Sequence, residues 1–142
     1  MESLRLEKSY RMWGMDLTKE YSILEAGLDR FVKIQKGQFT GREALLLQRE
    51  SGVPQEFITL EVDVDDADPM GNEPVFSGNE MIGRATSGCY GHSVGKSLAL
   101  AYVESGTGSV GTELELEILD KRYPARVIEE SPCDPQNEKL RV

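Results

Sequence analysis

Between Ile58 and Glu129 the chain alternates apolar and polar side chains in six short segments broken by turns, and this succession restricts the fold more than any other feature. Ile58, Leu60, Val62 and Val64 alternate with Thr59, Glu61 and Asp63. Pro74–Phe76 and Glu80–Ser87 flank Ser77-Gly78-Asn79, the composition of a hairpin turn. Leu98, Leu100 and Tyr102 alternate with Ala99, Ala101 and Val103, and Leu114, Leu116 and Ile118 with Glu113, Glu115 and Glu117. A turn at Asp120–Arg122 leads into Tyr123–Glu129, where Pro124 favours an edge. A period of two is what a strand imposes, because successive side chains leave opposite faces. Six short strands in about eighty residues predict a small closed or nearly closed antiparallel barrel.

The stretch Gly83–Val103 reads as strand, glycine-rich loop, strand. Gly95-Lys96-Ser97 resembles the end of a phosphate-binding loop, but that motif needs a glycine where Tyr90 stands and must open a helix. The residues after Ser97 alternate as a strand, so the glycines Gly88, Gly91 and Gly95 serve a tight β-connection.

Upstream of the strands the pattern is mixed. Leu4 and Leu6 alternate with Arg5 and Glu7, which predicts a strand over Glu2–Lys8. Ser9–Asp16, with Tyr10, Trp13 and Gly14, is either an irregular core-covering turn or a ligand-facing one. Thr18–Asp29 has the makings of a short helix, and Arg30–Ile34 alternates. Phe39–Gly52 is the clearest helix, with Thr40 and Glu43 as a T-x-x-E capping box and Gly52 and Pro54 closing it.

With 25 acidic against 16 basic residues the net charge is −9, and no Lys/Arg cluster stands out along the chain. Nucleic acid and anionic membranes are therefore not expected as partners. No apolar run is long enough to span a bilayer, and the N-terminus has no signal-peptide core. Cys89 and Cys133 form no C-x-x-C pair and the chain has 1 histidine, so neither a disulfide framework nor structural zinc is expected.

Five segments, taken in order, resemble the tetrahydrofolate-dependent aminomethyltransferase family: Leu4–Leu17 (LRLEKSYRMWGMDL), Glu25–Leu28 with Phe31–Lys33, Phe39–Gln48 (FTGREALLLQ), Thr86–Val103 (TSGCYGHSVGKSLALAYV) and Cys133–Arg141 (CDPQNEKLR). The family includes the T-protein of the glycine cleavage system and the folate-using part of dimethylglycine and sarcosine dehydrogenases; the first and last segments resemble the dehydrogenase branch more. The resemblance implies a mainly β fold with short helices. Residues 1–54 would form the C-terminal piece of the folate-binding domain, a partial α+β arm, and residues 55–142 the six-stranded barrel. It implies tetrahydrofolate as cofactor and a small amine as substrate, whose methylene unit the folate captures. A flavin is expected only if a dehydrogenase domain lies upstream, since G-x-G-x-x-G is absent from these residues. The family's catalytic Asp lies upstream of this chain, so no catalytic residue is expected within it. The parent protein would be an enzyme of the cytoplasm, or of the mitochondrial matrix in a eukaryote. Two alternatives stand beside this: a non-catalytic folate-binding or protein-interaction module, and a folate-dependent demethylase.

By position in LRLE, Glu7 matches the family glutamate that binds the pterin ring, and a carboxylate suits the paired donors of an aminopterin edge. Without the resemblance it reads as a strand-surface carboxylate. Lys36, or alternatively Lys33, falls near the family's basic residue for the anionic end of the ligand. Arg42 either orients the loop before the barrel or sits at the surface. His92 has no partner that the sequence reveals, and Cys133 stands where many relatives carry an aromatic residue. Deprived of half a folate cavity, the arm from Leu4 to Ile34 is expected to be mobile or to pack on a second copy, with the barrel well ordered.

Overall fold

The computed structural model describes residues 1–141. Helix α1 spans Glu2–Glu7 and helix α2 Arg42–Ser51; the strands are β1 (Gln55–Val62), β2 (Pro74–Ser77), β3 (Glu80–Gly91), β4 (Lys96–Glu104), β5 (Glu113–Ile118) and β6 (Lys121–Ile128). The strands close into a barrel in the order β1-β4-β3-β2-β5-β6, with every pair antiparallel and β6 returning to β1. The mainly β, six-stranded expectation holds.

Alternation fills the barrel. Ile58, Leu60 and Val62 of β1 and Leu114, Leu116 and Ile118 of β5 point into one buried core, where Ala85, Ala99 and Ala101 leave room for them. The charged alternates of β5 remain outside. Glu115 and Glu117 reach Arg122, and Glu113 reaches Arg126, both on β6. Such exposed pairs add little stability.

Strand β4 lacks polar alternates because it is covered on both sides. Ala99, Ala101 and Val103 face the barrel interior, whereas Leu100 and Tyr102 face outward and join Phe57, Leu6 and Ala26 in a second core. The N-terminal arm supplies that cover. Tyr21 stacks on Tyr102 with ring centroids 3.7 Å apart, and the Tyr102 hydroxyl donates to the Asp16 carbonyl at 2.9 Å. Burial pushes the Tyr102 hydroxyl far above its ordinary range. The arm thus packs on the outer face of its own barrel rather than waiting for another surface.

Two turns show the local chemistry. Val75 and Phe76 pair across a hairpin closed by Gly78-Asn79, as the composition indicated. The β5–β6 hairpin turns on Leu119 and Asp120, both with positive φ (50° and 63°), the arrangement whose twist suits antiparallel strands. Pro124 does not mark an edge, because the barrel is closed. Its carbonyl accepts from the Asp63 N–H, one step in register past the last paired residues of β1 and β6, Val62 and Ala125. The reciprocal bond of that pair is the one a proline cannot donate, and the β1–β6 ladder stops there.

The arm corrects several local expectations. Glu2–Glu7 is a helix, and its Leu6 and Glu7 are buried while Leu4 is exposed. With Ser3 they mark an i, i+3, i+4 face, which seven residues of alternation could not distinguish from a strand. Residues 30–34 form no strand; 3₁₀ turns at Asp29–Phe31 and Ile34–Lys36 take their place, and Phe31 is left exposed. Helix α2 begins at Arg42 after Gly41 in a left-handed conformation, so Thr40 lies one residue too early to cap it. The reciprocal bonds of a capping box occur instead at Ser22 and Glu25, each side chain accepting from the other's N–H, around a single turn within the 18–29 segment.

Candidate functional site

The candidate residues fall in two regions: the surroundings of Glu7, and the segment that carries Lys36 and Arg42. Glu7 ends α1 and is 2 % exposed, so it is not the solvated surface carboxylate that residue type alone suggests. Helix α1 packs on β3 and β4, which brings the β3–β4 loop over it. The Ser93 N–H donates to Glu7 Oε1 at 2.5 Å, and the Ser3 hydroxyl, one turn earlier on α1, approaches the same oxygen at 3.5 Å. Burial pushes the carboxyl up, but the Ser93 N–H and hydroxyl, the Val94 N–H and the Ser3 hydroxyl together outweigh it and hold Glu7 below the usual glutamate range. The Glu7 carbonyl accepts from the Cys133 N–H at 3.0 Å, and Lys8 Nζ donates to the carbonyls of Cys133 and Asp134. The returning C-terminal segment therefore fixes the backbone at Glu7 while the loop fixes its side chain.

Beneath this lies a buried polar network that the sequence did not signal. Asp16 is fully buried, and its Oδ2 accepts from Arg5 Nη1 at 2.8 Å and the Met12 N–H at 2.7 Å. Its Oδ1 accepts from the hydroxyls of Thr86 at 2.5 Å and Ser87 at 2.7 Å. Consecutive strand residues normally face opposite ways. Here the register of β3 against β4 slips between Ala85 and Ser87, and the bulge turns both hydroxyls toward the same carboxylate. Arg5 Nη2 completes the link by donating to Ser87.

Lys36 and Arg42 occupy a different region. Arg42 Nε donates to the Ile34 carbonyl at 2.9 Å, and Lys36 Nζ lies 4.9 Å above the Phe39 ring. Arg42 thereby holds the 34–42 segment from its helix. Asp29, Arg30, Lys33, Lys36 and Arg49 line an open cleft of about 570 Å³. Both lysines proposed for the anionic end of a ligand line it. Among the described residues, none of its four cations takes part in an ion pair. Three of these cations, Arg30, Lys33 and Lys36, lie close together in the sequence, and folding adds Arg49, which gives a positive cleft on a chain of net charge −9. No described contact joins Glu7 to Lys36 or Arg42.

The remaining candidates are structural. The His92 N–H donates to the Ser3 hydroxyl and its ring meets Tyr90 edge-on, 5.2 Å between centroids. Cys89 is half-buried, and burial pushes its thiol up, away from a nucleophilic thiolate. Among the described residues no group of three metal-ligating side chains forms, and no helix is long and apolar enough to cross a membrane.

Comparison with known proteins gives a consistent result. A family model described as the glycine cleavage T-protein C-terminal barrel domain matches residues 55–134. Rat dimethylglycine dehydrogenase, a mitochondrial protein, is 44% identical over 131 residues, which cover 92% of this chain and 15% of that protein. The aminomethyltransferase of Moorella thermoacetica is 42% identical over 127 residues, covering 89% of this chain and 34% of the relative. Among solved structures, the glycine cleavage system aminomethyltransferase T of Bartonella henselae superposes with a TM-score of 0.87 at 26% identity, over 94% of this chain and 38% of that one. The chain thus spans 15% to 38% of the length of these relatives.

Proposed function

The chain belongs to the family of the glycine cleavage T-protein C-terminal barrel domain, and on that premise we propose that it is the C-terminal portion of a protein that transfers a methylene unit from a small amine to tetrahydrofolate. The amine is a glycine-derived aminomethyl group, dimethylglycine or sarcosine; a demethylase would instead hand a methyl group to the folate from a different donor. The division at residues 54 and 55 into a folate-domain piece and a barrel belongs to the same proposal, as does residence in the cytoplasm or, in a eukaryote, the mitochondrial matrix.

The observation that carries this reading is the state of Glu7: buried, and held in its ionised form by donors from the β3–β4 loop and from Ser3. An ionised carboxylate, which accepts more hydrogen bonds than these, is what the adjacent N–H donors of an aminopterin edge require. The charged cleft suits the other end of the same ligand. Lys36 and Lys33 would meet the glutamyl carboxylates of the folate, and Arg42 would hold the segment that presents them. When bound, the folate supplies the nitrogen nucleophile that accepts the one-carbon unit. This chain's part is to bind and orient it, since the carboxylate expected to assist catalysis lies outside these residues. A flavin enters only through an upstream dehydrogenase domain. Self-association through the arm is part of the proposal as well, because Tyr10, Trp13 and Phe31 are exposed there.

The test is a calorimetric titration of the protein and of Glu7→Ala with tetrahydrofolate. Micromolar binding that weakens at least about tenfold in the variant, equivalent to ~1.4 kcal/mol, supports the reading. Equal affinity for both proteins overturns the assignment of Glu7. A folded protein that binds no folate counts against a site within these residues alone and assigns them to the structural lid of a larger enzyme.

A further inference from the structure

We propose that the β3–β4 loop is the positioning element for Glu7, with the Ser93 N–H and the bare Cα of Gly91 setting the direction of a carboxylate carried on another element. The proposal rests on the reading of Glu7 as the pterin-binding residue. It assigns a role to residues that would not themselves touch the ligand.

Three observations carry it. First, the loop supplies most of the donors to the carboxylate: the Ser93 N–H reaches Oε1 at 2.5 Å, the Ser93 hydroxyl and the Val94 N–H also act on the group, and outside the loop the Ser3 hydroxyl approaches Oε1 at 3.5 Å. Donors from one loop on a planar group fix the direction in which that group points. Second, Gly91 is not glycine for the sake of its backbone, since its φ is not among the positive values. It is glycine for space: a Cβ there would stand 3.2 Å from Glu7 Cγ, 2.8 Å from Val94 Cγ2 and 3.0 Å from Leu98 Cδ1. The Glu7 stem lies against the loop at the point where a side chain is missing. Third, the loop is itself held. The Gly95 N–H donates to the Gly91 carbonyl at 2.8 Å, and the His92 N–H donates to Ser3, which in turn faces Glu7.

The consequence is a division of labour. The arm contributes the carboxylate, and the barrel, through one hairpin, decides where it points. An α1 helix of six residues cannot hold a side chain rigidly unaided. A clamp from a closed barrel can, and rigid support of this kind is what a binding group needs to act at full strength.

The experiment reads Glu7 directly. The side-chain carboxyl carbons of the glutamates are labelled with 13C, and Glu7 is assigned by its loss in Glu7→Gln. Its titration is then followed in the wild-type protein and in Ser93→Pro, Gly91→Ala, Ser93→Ala and Ser3→Ala. The label separates it from His92 on the loop and Cys89 on β3, the titratable neighbours. Removing the Ser93 N–H or displacing the stem at Gly91 leaves burial in place and takes away its compensation, so the midpoint rises in both. Ser3→Ala removes only one hydroxyl, keeps the fold, and raises the midpoint by less. Unchanged midpoints in folded Ser93→Pro and Gly91→Ala overturn the proposal; should both fail to fold, an unchanged midpoint in Ser93→Ala, which removes only the loop hydroxyl that acts on Glu7, overturns it. Titration with 5-formyltetrahydrofolate, a stable reduced folate, separates the two claims. Gly91→Ala weakens that binding about tenfold if both hold. Shifted midpoints with no folate bound by any variant leave the clamp standing and remove the pterin reading.

Discussion

Replacing Asp16 with alanine tests the junction of arm and barrel. Asp16 accepts four hydrogen bonds from Arg5, Met12, Thr86 and Ser87 at 2.5–2.8 Å, with no exposed surface. Its loss strands a guanidinium that is 13% exposed and two buried hydroxyls. Breaking a buried ion pair from one side costs about 3–5 kcal/mol. Some of that is recovered: Arg5 keeps Glu2, Ser87 and the Tyr10 carbonyl, and Thr86 keeps the Leu100 carbonyl at 3.3 Å. The expected net loss is therefore about 3 kcal/mol. Release of the arm would be the alternative way to relieve the unpaired charge. It would expose Leu6, Leu100 and Tyr102 at roughly 1.5–3 kcal/mol each, so the arm stays docked and the penalty is borne. Urea unfolding of the wild type, Asp16→Ala, Arg5→Ala and the double variant measures this. The singles should each lose about 3 kcal/mol and the double should fall short of their sum by about 1–3 kcal/mol. A loss below ~1 kcal/mol in Asp16→Ala, or strict additivity, refutes the account of the network.

Gly83→Ala should destabilise strongly, because a Cβ would stand 2.1 Å from the Tyr102 carbonyl oxygen and 2.7 Å from Val103 Cα, both backbone atoms that cannot step aside; thermal unfolding near the wild-type midpoint would contradict this. The folded-state value of Glu7 lies below the ordinary 4.5, so its stabilisation is fully present above 4.5 and is lost as pH falls through the depressed value. Denaturation monitored against pH should therefore show the wild type losing more stability than Glu7→Gln in that acidic window, and parallel curves would count against it. Lys33→Glu with Lys36→Glu should weaken folate binding and flatten its salt dependence, whereas the same change at Lys121 and Lys139 should do neither.

The strands were readable because two faces with different surroundings write alternation into the sequence, as Leu114–Ile118 does on a barrel wall with water outside. Strand β4 was readable for the opposite reason: its unbroken apolar run reports burial on both faces, although not that the arm provides the second. The arm was misread where segments were too short to define a period, as at Glu2–Glu7, and at residues 30–34, where alternation has no neighbouring strand to pair with. The capping pattern misled for a related reason, since Thr40-x-x-Glu43 and Ser22-x-x-Glu25 look alike and only the path of the chain decides which closes. At the site, Glu7, Lys36 and Arg42 came from resemblance to a family. Asp16, Ser93 and Gly91 could not be found that way. Their roles depend on a strand bulge and a loop crossing over a helix, which are relations between segments distant in the chain.

The central claim is that the Glu7 carboxylate binds the pterin end of a reduced folate. The most direct measurement tracks the 13C signal of the Glu7 side-chain carboxyl during addition of 5-formyltetrahydrofolate. The account predicts a saturable shift of that signal, absent on adding p-aminobenzoylglutamate, which carries the anionic end without the pterin ring. Saturable folate binding that leaves the Glu7 signal unmoved, or a shift that the pterin-free compound reproduces, would contradict it.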